Sequence, residues 1–316
     1  AASQIAKNIK SQKIIVNKST VPIGTGELVE RVIKKNLKKP VPFDVVSNPE
    51  FLREGQAIRD FFEPDRIVIG SNSDTAAAKV KELYKTQKCP VISTDLYSAE
   101  LIKYASNAFL ATKISFINSI ANICETTDAN IDDIANGLGS DKRIGHDFLQ
   151  AGLGFGGSCF PKDLQSLLST SIQLKDPLNI IKEVIEQNKI RVPRILDRIA
   201  KRIGASKRPK LSGKIISVLG LAFKPNTDDL REAKSIELCN ALLKEGAKIN
   251  AYDPVINSLD ISKNLSVKHN LFEAVKGCEV LIITTPWSEF FNLKIKYLNN
   301  SDIKILIDPY GVLYDQ

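Results

Sequence analysis

Methionine is absent from the 316 residues, histidine occurs only twice (His146 and His269), and there is one tryptophan. The five cysteines, Cys89, Cys124, Cys159, Cys239 and Cys278, stand singly with no CxxC pair. With so few histidines beside them, a structural zinc site and a disulfide scaffold are both set aside, and no metal is expected. No uninterrupted apolar run reaches the roughly eighteen residues that a membrane-spanning helix needs. No basic-then-apolar leader opens the chain either, so the expectation is a cytoplasmic protein without a membrane partner. Nucleic acid is not an expected partner, because basic and aromatic residues are nowhere interleaved in a cluster. The missing methionine, and a first stretch Ala1-Ala2-Ser3-Gln4-Ile5 that reads as mid-helix, lead to the expectation that something lies upstream of residue 1.

What is present is the composition of an ordinary globular protein, 43% hydrophobic and 25% charged. The length leaves room for two domains. A net charge of +8 suits an anionic ligand such as a nucleotide without singling one out. Many lysines sit on amphipathic helices, as over 79–88, where a solvated face is explanation enough.

Strand-like runs at 13–17, 43–47, 66–70 and 90–93 alternate with helical patterns at 26–36 and 74–85. That alternation predicts a parallel sheet with crossover helices, the second half of a doubly wound domain. Asp95 can cap a helix whose apolar positions (Leu101, Tyr104, Ala108 and Ala111 among them) recur at helical spacing to about Cys124. Such a long helix commonly connects domains and forms a dimer interface. Further helices are expected at 130–138 and about 176–203, then a polar, proline-bearing linker over 206–212. A second βαβ start follows: a strand at 214–219, a helix over 233–245 closed by Gly246, and a strand at 248–252 ending in Asp253. Strands near 279–284 and 304–307 extend it. The expected architecture is α/β, with two Rossmann-like doubly wound domains, the first incomplete, joined by a long central helix. The boundaries would be 1–95, 96–205 and 206–316.

The densest chemical signal is Gly154-Phe155-Gly156-Gly157-Ser158-Cys159-Phe160-Pro161-Lys162-Asp163. Glycines allow close backbone approach and positive φ, and a thiol on an exposed turn beside a lysine is a candidate nucleophile. A tight glycine turn around a buried cysteine is the equally weighted alternative. Lys103 and Asn107 lie at i and i+4 and share a helix face, where together they can polarise a substrate oxygen. A solvated polar face is the competing reading, weakened by apolar and small neighbours. Glu50 and Glu54 are also four apart, and by themselves read as surface carboxylates. The 214–253 unit lacks the GxGxxG of a dinucleotide loop, since Gly220 is followed by Leu221, Ala222, Phe223 and Lys224.

These segments resemble, in order along nearly the whole chain, the UDP-glucose/GDP-mannose dehydrogenase family. The resemblance is carried by the decapeptide around Cys159; by Asn17-Lys18-Ser19-Thr20-Val21-Pro22-Ile23-Gly24; by Ser47-Asn48-Pro49-Glu50-Phe51-Leu52-Arg53-Glu54-Gly55; and by Pro64-Asp65-Arg66. It continues in the run from Glu100 to Phe109, in Arg143-Ile144-Gly145, and in Gly220-Leu221-Ala222-Phe223-Lys224-Pro225 through Glu232. It implies oxidation of a sugar C6 alcohol to a carboxylate with two NAD, through a thiohemiacetal and a thioester on Cys159. Lys103 and Asn107 would stabilise the oxyanion, and Thr20, Glu50 and Asp163 would position or activate water. Phe51, Leu52, Glu54, Arg143, Phe148, Phe155, Gly156, Phe223 and Lys224 would contact the nucleotide sugar. Thr20, Lys162 and Arg231 would face NAD, and the assembly would be a homodimer. Two features depart from the family pattern. No glycine-rich NAD loop lies within the chain, and Asp308-Pro309-Tyr310-Gly311 stands where the family often has Asp-Gly-Arg. UDP-glucose is the expected substrate, with UDP-N-acetylhexosamine and GDP-mannose as alternatives. A non-catalytic fragment that binds a nucleotide sugar or dimerises is the reading from another class.

Overall fold

The computed structural model describes residues 1–203, 211–293 and 303–313; residues 206–210 of the expected linker lie outside the described residues. The chain runs α1 (Ala2–Asn8), β1 (Lys13–Asn17), α2 (Thr25–Asn36), β2 (Phe43–Ser47), α3 (Ala57–Phe62), β3 (Ile67–Ser71), α4 (Asp74–Glu82), β4 (Val91–Thr94), α5 (Leu96–Thr127) and α6 (Ile131–Ser140). It continues with α7 (Phe160–Gln173), α8 (Asn179–Lys189), α9 (Arg191–Arg202), β5 (Ile215–Leu219), α10 (Lys234–Lys244), β6 (Lys248–Tyr252), β7 (Leu265–Val267), α11 (Leu271–Val275), β8 (Val280–Ile283), a 3-10 turn (Ser288–Asn292) and β9 (Ile305–Ile307). Two compact units result: Ala1–Ala108 with Asp163–Pro177, and Phe109–Lys162 with Leu178–Gln316.

In the first unit the strands order β1-β2-β3-β4. β1 with β2 and β3 with β4 are parallel, as the alternation predicts, but β2 and β3 meet antiparallel. They touch only at their carboxyl tips, Val46 opposite Ser71 and Ser47 opposite Gly70. The expectation of an all-parallel sheet is corrected here, and Asn48 lies directly after the antiparallel tip of β2. Its N–H donates to Asn17 O at 2.8 Å and its Nδ2 to Val68 O at 2.7 Å, so this one residue bonds the last residue of β1 and the second residue of β3. Val46, Ile67, Ile69, Ala76 and Val80 form the core between sheet and α4.

The second unit holds an all-parallel sheet in the order β7-β6-β5-β8-β9. Alternate residues of its strands enter two separate cores. Ile216, Val218, Val280 and Ile282 pack against Leu238, Leu242, Ile195 and Ile199, while Leu219, Leu281 and Ile283 pack against Ala274, Trp287 and Phe290 on the other side. A sheet covered on both faces needs nearly continuous apolar strands, which is how β5 and β8 read. Each such side chain contributes about 1.5–3 kcal/mol on burial. The strand order reverses between β5 and β8. Ligands of open α/β sheets bind outside the carboxyl ends of the strands at such a switch point.

α5 runs 32 residues, and Asp95 caps it as expected, accepting from Ser98 N at 2.8 Å and Ser98 Oγ at 2.7 Å. The single helix expected over 176–203 is two, α8 and α9, divided at Ile190. Pro193 explains the break: it has no N–H to donate back to Lys189, and its ring is tolerated only in a first helical turn.

Candidate active site

Within the first unit, the buried face of α5 carries Glu100, Lys103 and Asn107, at 2%, 5% and 7% exposure. Their spacing of three and four residues stacks them along one stripe. The solvated-face reading of Lys103 and Asn107 therefore fails. Asn107 Nδ2 donates to Asp163 Oδ2 at 2.7 Å, and Asp163 sits in the first turn of α7 at 1% exposure. The Lys103 ammonium lies 5.1 Å from the centre of the Phe51 ring, whose centre is also 3.8 Å from the Arg66 guanidinium carbon. Among the described residues no carboxylate lies within ion-pair distance of Lys103. The face of an aromatic ring is an attractive contact for a cation.

Thr20 and Glu50 follow the neighbouring parallel strands β1 and β2 and so lie at the same edge of that sheet. Glu50 Oε2 accepts from Leu52 N at 2.5 Å. Residues 50–55 are loop and turn, so Glu50 and Glu54 do not share a helix face. Leu52 is exposed and Glu54 half-buried. The same loop is fastened by Arg53, which binds Asp60 through Nε at 2.9 Å, Nη2 at 2.6 Å and its backbone N at 2.8 Å. Those bonds hold the Asp60 carboxyl below its usual range. Asn17 Nδ2, at the carboxyl end of β1, is a buried donor without a protein partner among the described residues.

Within the second unit, Cys159 is the one exposed cysteine of the five and lies on the turn that opens α7. The buried-cysteine alternative is thereby excluded. Its glycines do what the sequence suggests: Gly154 and Gly157 have φ of 112° and 79°, and at Gly156 a Cβ would run into the Glu232 carbonyl. Gly157 abuts the Phe223 ring and donates to Arg231 O at 3.0 Å. The cysteine loop is thus packed on the loop that leaves β5 at the switch point. Phe155 meets Phe160 edge to face and Phe148 meets it at a tilt, at 6.0 and 6.2 Å between ring centres. Lys224 lies over Phe223, 5.6 Å from its ring centre.

Other expected residues stand apart. Arg143 is 89% exposed and bonded to Asp141 at 2.6 Å, on a turn whose carbonyls at Ile144 and Gly145 accept from Lys113 Nζ. Arg231 is held in the same manner by Asp229, at 2.7 Å. Lys162 is exposed on α7. Asp253 is fully occupied, accepting from Leu221 N, Ala222 N, Val255 N, Ile256 N and Trp287 Nε1. It braces the loop after β5 instead of presenting a carboxylate to a ribose.

Sequence reasoning missed the residues that bolt the cysteine loop. Gly152 N donates to Asn118 Oδ1 at 2.8 Å, and Gly152 O accepts from Arg191 Nη2 at 2.6 Å. Phe155 N and O pair with Asn188 Oδ1 and Nδ2 at 2.8 and 2.9 Å. Leu153 N donates to Tyr310 Oη at 3.3 Å, and that hydroxyl donates to Thr284 O at 3.1 Å. Burial lowers the Arg191 guanidinium to a pKa of about 10 and raises the Tyr310 phenol. The available signal was polar side chains interrupting apolar helical stripes; their partners, backbone groups far along the chain, leave no local trace.

Two α/β sheets on one chain, a long helix, and an exposed thiol behind a glycine loop define a Rossmann-type protein with a candidate nucleophile. The family models say which. Residues 1–88 match the NAD binding domain, 97–190 the central domain and 217–315 the UDP binding domain of the UDP-glucose/GDP-mannose dehydrogenase family. The chain belongs to that family. It is 47% identical over 292 residues to UDP-glucose 6-dehydrogenase YwqF of Bacillus subtilis, covering 92% of this chain and 65% of the relative. It is 43% identical over 309 residues to a UDP-glucose 6-dehydrogenase of Rhizobium meliloti, covering 95% and 69%. Among solved structures, a UDP-glucose dehydrogenase from Pyrobaculum islandicum matches with a TM-score of 0.86 at 35% identity, covering 98% of this chain and 72% of that one. The chain spans just under two thirds of the length of the two Bacillus subtilis relatives, 65% and 64%.

Proposed function

We propose that this chain serves the NAD-dependent oxidation of UDP-glucose to UDP-glucuronate, with Cys159 as the covalent nucleophile. The observation that carries the reading is the exposed Cys159 thiol at the end of a glycine loop whose backbone is fixed at Gly152, Leu153, Phe155 and Gly157 by separate partners. Such preorganisation is what a reacting atom requires.

NAD fits the carboxyl edge of β1, where Asn17 Nδ2 is an unanswered buried donor and Thr20 follows three residues on. Thr20, Lys162 and Arg231 are the residues proposed to face it. Bound there, NAD supplies the two-electron acceptor for each oxidation. The chain's own residues do the rest. The Cys159 sulfur bonds to the aldehyde carbon, the carbonyl electron pair moves to oxygen, and a proton completes the thiohemiacetal. Oxidation of that carbon leaves a thioester, and water attacks it, returning the thiolate and releasing the acid. Lys103 and Asn107 stabilise the oxyanion at each tetrahedral stage; Asp163 holds the Asn107 amide, and Thr20 and Glu50 position the water. Phe51, Leu52, Glu54, Phe148, Phe155, Gly156, Phe223, Lys224 and Arg143 contact the nucleotide sugar. We read the protein as a cytoplasmic homodimer. Support for the dimer comes from α5, where Phe109, Phe116 and Ile123 recur every seventh residue at 66%, 51% and 57% exposure.

At Tyr310, where the family often has arginine, the hydroxyl is engaged with Leu153 N and Thr284 O and offers no cation to the sugar nucleotide. NADH release measured with UDP-glucose, UDP-N-acetylhexosamines and GDP-mannose tests the reading; the largest kcat/KM for UDP-glucose is expected. Calorimetry that finds UDP-sugar binding without NAD binding would instead support a non-catalytic binding role. Cys159→Ser is expected to stall before free acid, and full acid formation by that variant would sink the covalent route.

A further inference from the structure

We propose that Glu100 is a positioning residue whose carboxylate locks the loop 18–24, and with it Thr20, onto the helix face that carries Lys103 and Asn107. The inference rests on the catalytic reading above and adds to it a residue with no role so far. Glu100 lies one turn before Lys103 on the buried stripe of α5 and is 2% exposed. Its Oε2 accepts from Gly24 N at 2.6 Å and its Oε1 from Gly26 N at 2.7 Å. These are leading amides of α2, which have no acceptor within their own helix. A carboxylate there is favoured by the helix dipole and makes short, charge-assisted bonds. The anion-binding end of α2 is therefore filled from within the protein.

Two further features make this a fixed spacer and not a loose contact. At Gly26 a Cβ would come within 3.2 Å of Glu100 Oε1 and 3.0 Å of Leu96 Cδ2, so α2 starts as close to α5 as glycine permits. Between the clamp and Thr20 the chain has little freedom. Pro22 fixes its own φ, and its carbonyl accepts from Thr25 N at 3.1 Å and Thr25 Oγ1 at 2.5 Å. Thr20 is four residues from one end of the clamp, and Lys103 is three from the other. Both oxygens of the carboxylate are needed. Glutamine has the same shape but offers one acceptor, and its amide N–H would face a second N–H at the start of α2. Burial already pushes the Glu100 carboxyl up, so a neutral replacement removes a desolvation cost while it breaks the clamp. A role in stability alone and a role in positioning thus make opposite demands of Glu100→Gln.

The experiment compares E100Q and G26A with the unsubstituted protein in three readouts: steady-state NADH release with NAD+ and UDP-glucose, thermal midpoint, and hydrogen exchange at the Gly24 and Gly26 amides. Expected for both variants are a kcat lower by about tenfold or more, the scale of a small misplacement of reacting groups, a KM for UDP-glucose within about twofold, and faster exchange of both amides. For E100Q the thermal midpoint should hold within a few degrees. An unchanged kcat in E100Q, or a kcat loss matched by a collapse of the midpoint, would overturn the positioning role. No NADH release from the unsubstituted protein would refute the catalytic reading and the positioning role with it, whereas amide protection lost in E100Q would still establish the clamp.

Discussion

Asn188→Ala isolates what holds the cysteine loop in shape. The Asn188 amide is 8% exposed and closes two hydrogen bonds on one residue, Phe155 N at 2.8 Å and Phe155 O at 2.9 Å. Gly154 presses on its Oδ1 so closely that no side chain could stand there. Alanine removes both partners at once and leaves a buried N–H and a buried C=O unanswered. Each unsatisfied group costs about 1–3 kcal/mol, so the loss of two should be about 2–6 kcal/mol. Trp287 is the sole tryptophan, 6% exposed, in the second unit, and its fluorescence during urea unfolding reports that unit alone. Selecting one unit matters, because a two-unit chain has no single unfolding free energy. Asn188→Asp retains the acceptor for Phe155 N and loses the donor to Phe155 O, and should be destabilised as well. A change below about 0.5 kcal/mol in Asn188→Ala, the range of an inconsequential surface substitution, would refute the claim that this amide fixes the loop.

Further outcomes follow from the same geometry. A small thiol reagent should modify one cysteine rapidly in the folded protein, and Cys159→Ser should abolish that phase, since Cys124, Cys239 and Cys278 are buried and Cys89 half-buried. Burial raises the Glu100 carboxyl above its ordinary value of 4.5. Its stabilising contribution is then fully present below the unfolded pKa and is lost as pH rises through the folded one. Because glutamine does not titrate, the thermal midpoint of Glu100→Gln relative to the unsubstituted protein should shift upward from acid to neutral pH, and a constant difference would contradict the assignment. Phe116→Asp places a charge in the exposed stripe of α5 and should yield a monomer by light scattering; an unchanged mass would remove that helix face from the interface.

Much of this was legible in sequence because local patterns decide it. The Asp95 cap and the absence of Gly and Pro gave α5; apolar runs gave β5 and β8; three glycines marked the cysteine turn. What escaped notice depends on distant partners. The antiparallel tips of β2 and β3 are one such case, and the bond from Asn48 to Val68 O is another, since nothing in the residues near 48 announces Val68 as an acceptor. Asn118, Asn188 and Arg191 act on backbone groups 34, 33 and 39 residues away in sequence. The division of α8 from α9 was readable from Pro193 and the restart at Ile190. So was the shared staple of Asp141 with Arg143 and Asp229 with Arg231, in which an arginine folds back on the aspartate two residues before it.

The central claim is a two-stage oxidation through Cys159, and the ratio of NADH formed to UDP-glucose consumed tests it most directly. Run to completion with excess NAD+, the protein should give two NADH for each sugar, with UDP-glucuronate as the product and an acyl adduct on Cys159 detectable by mass spectrometry after rapid quenching. One NADH per sugar with an aldehyde released, or two with no adduct and undiminished turnover in Cys159→Ser, would contradict it.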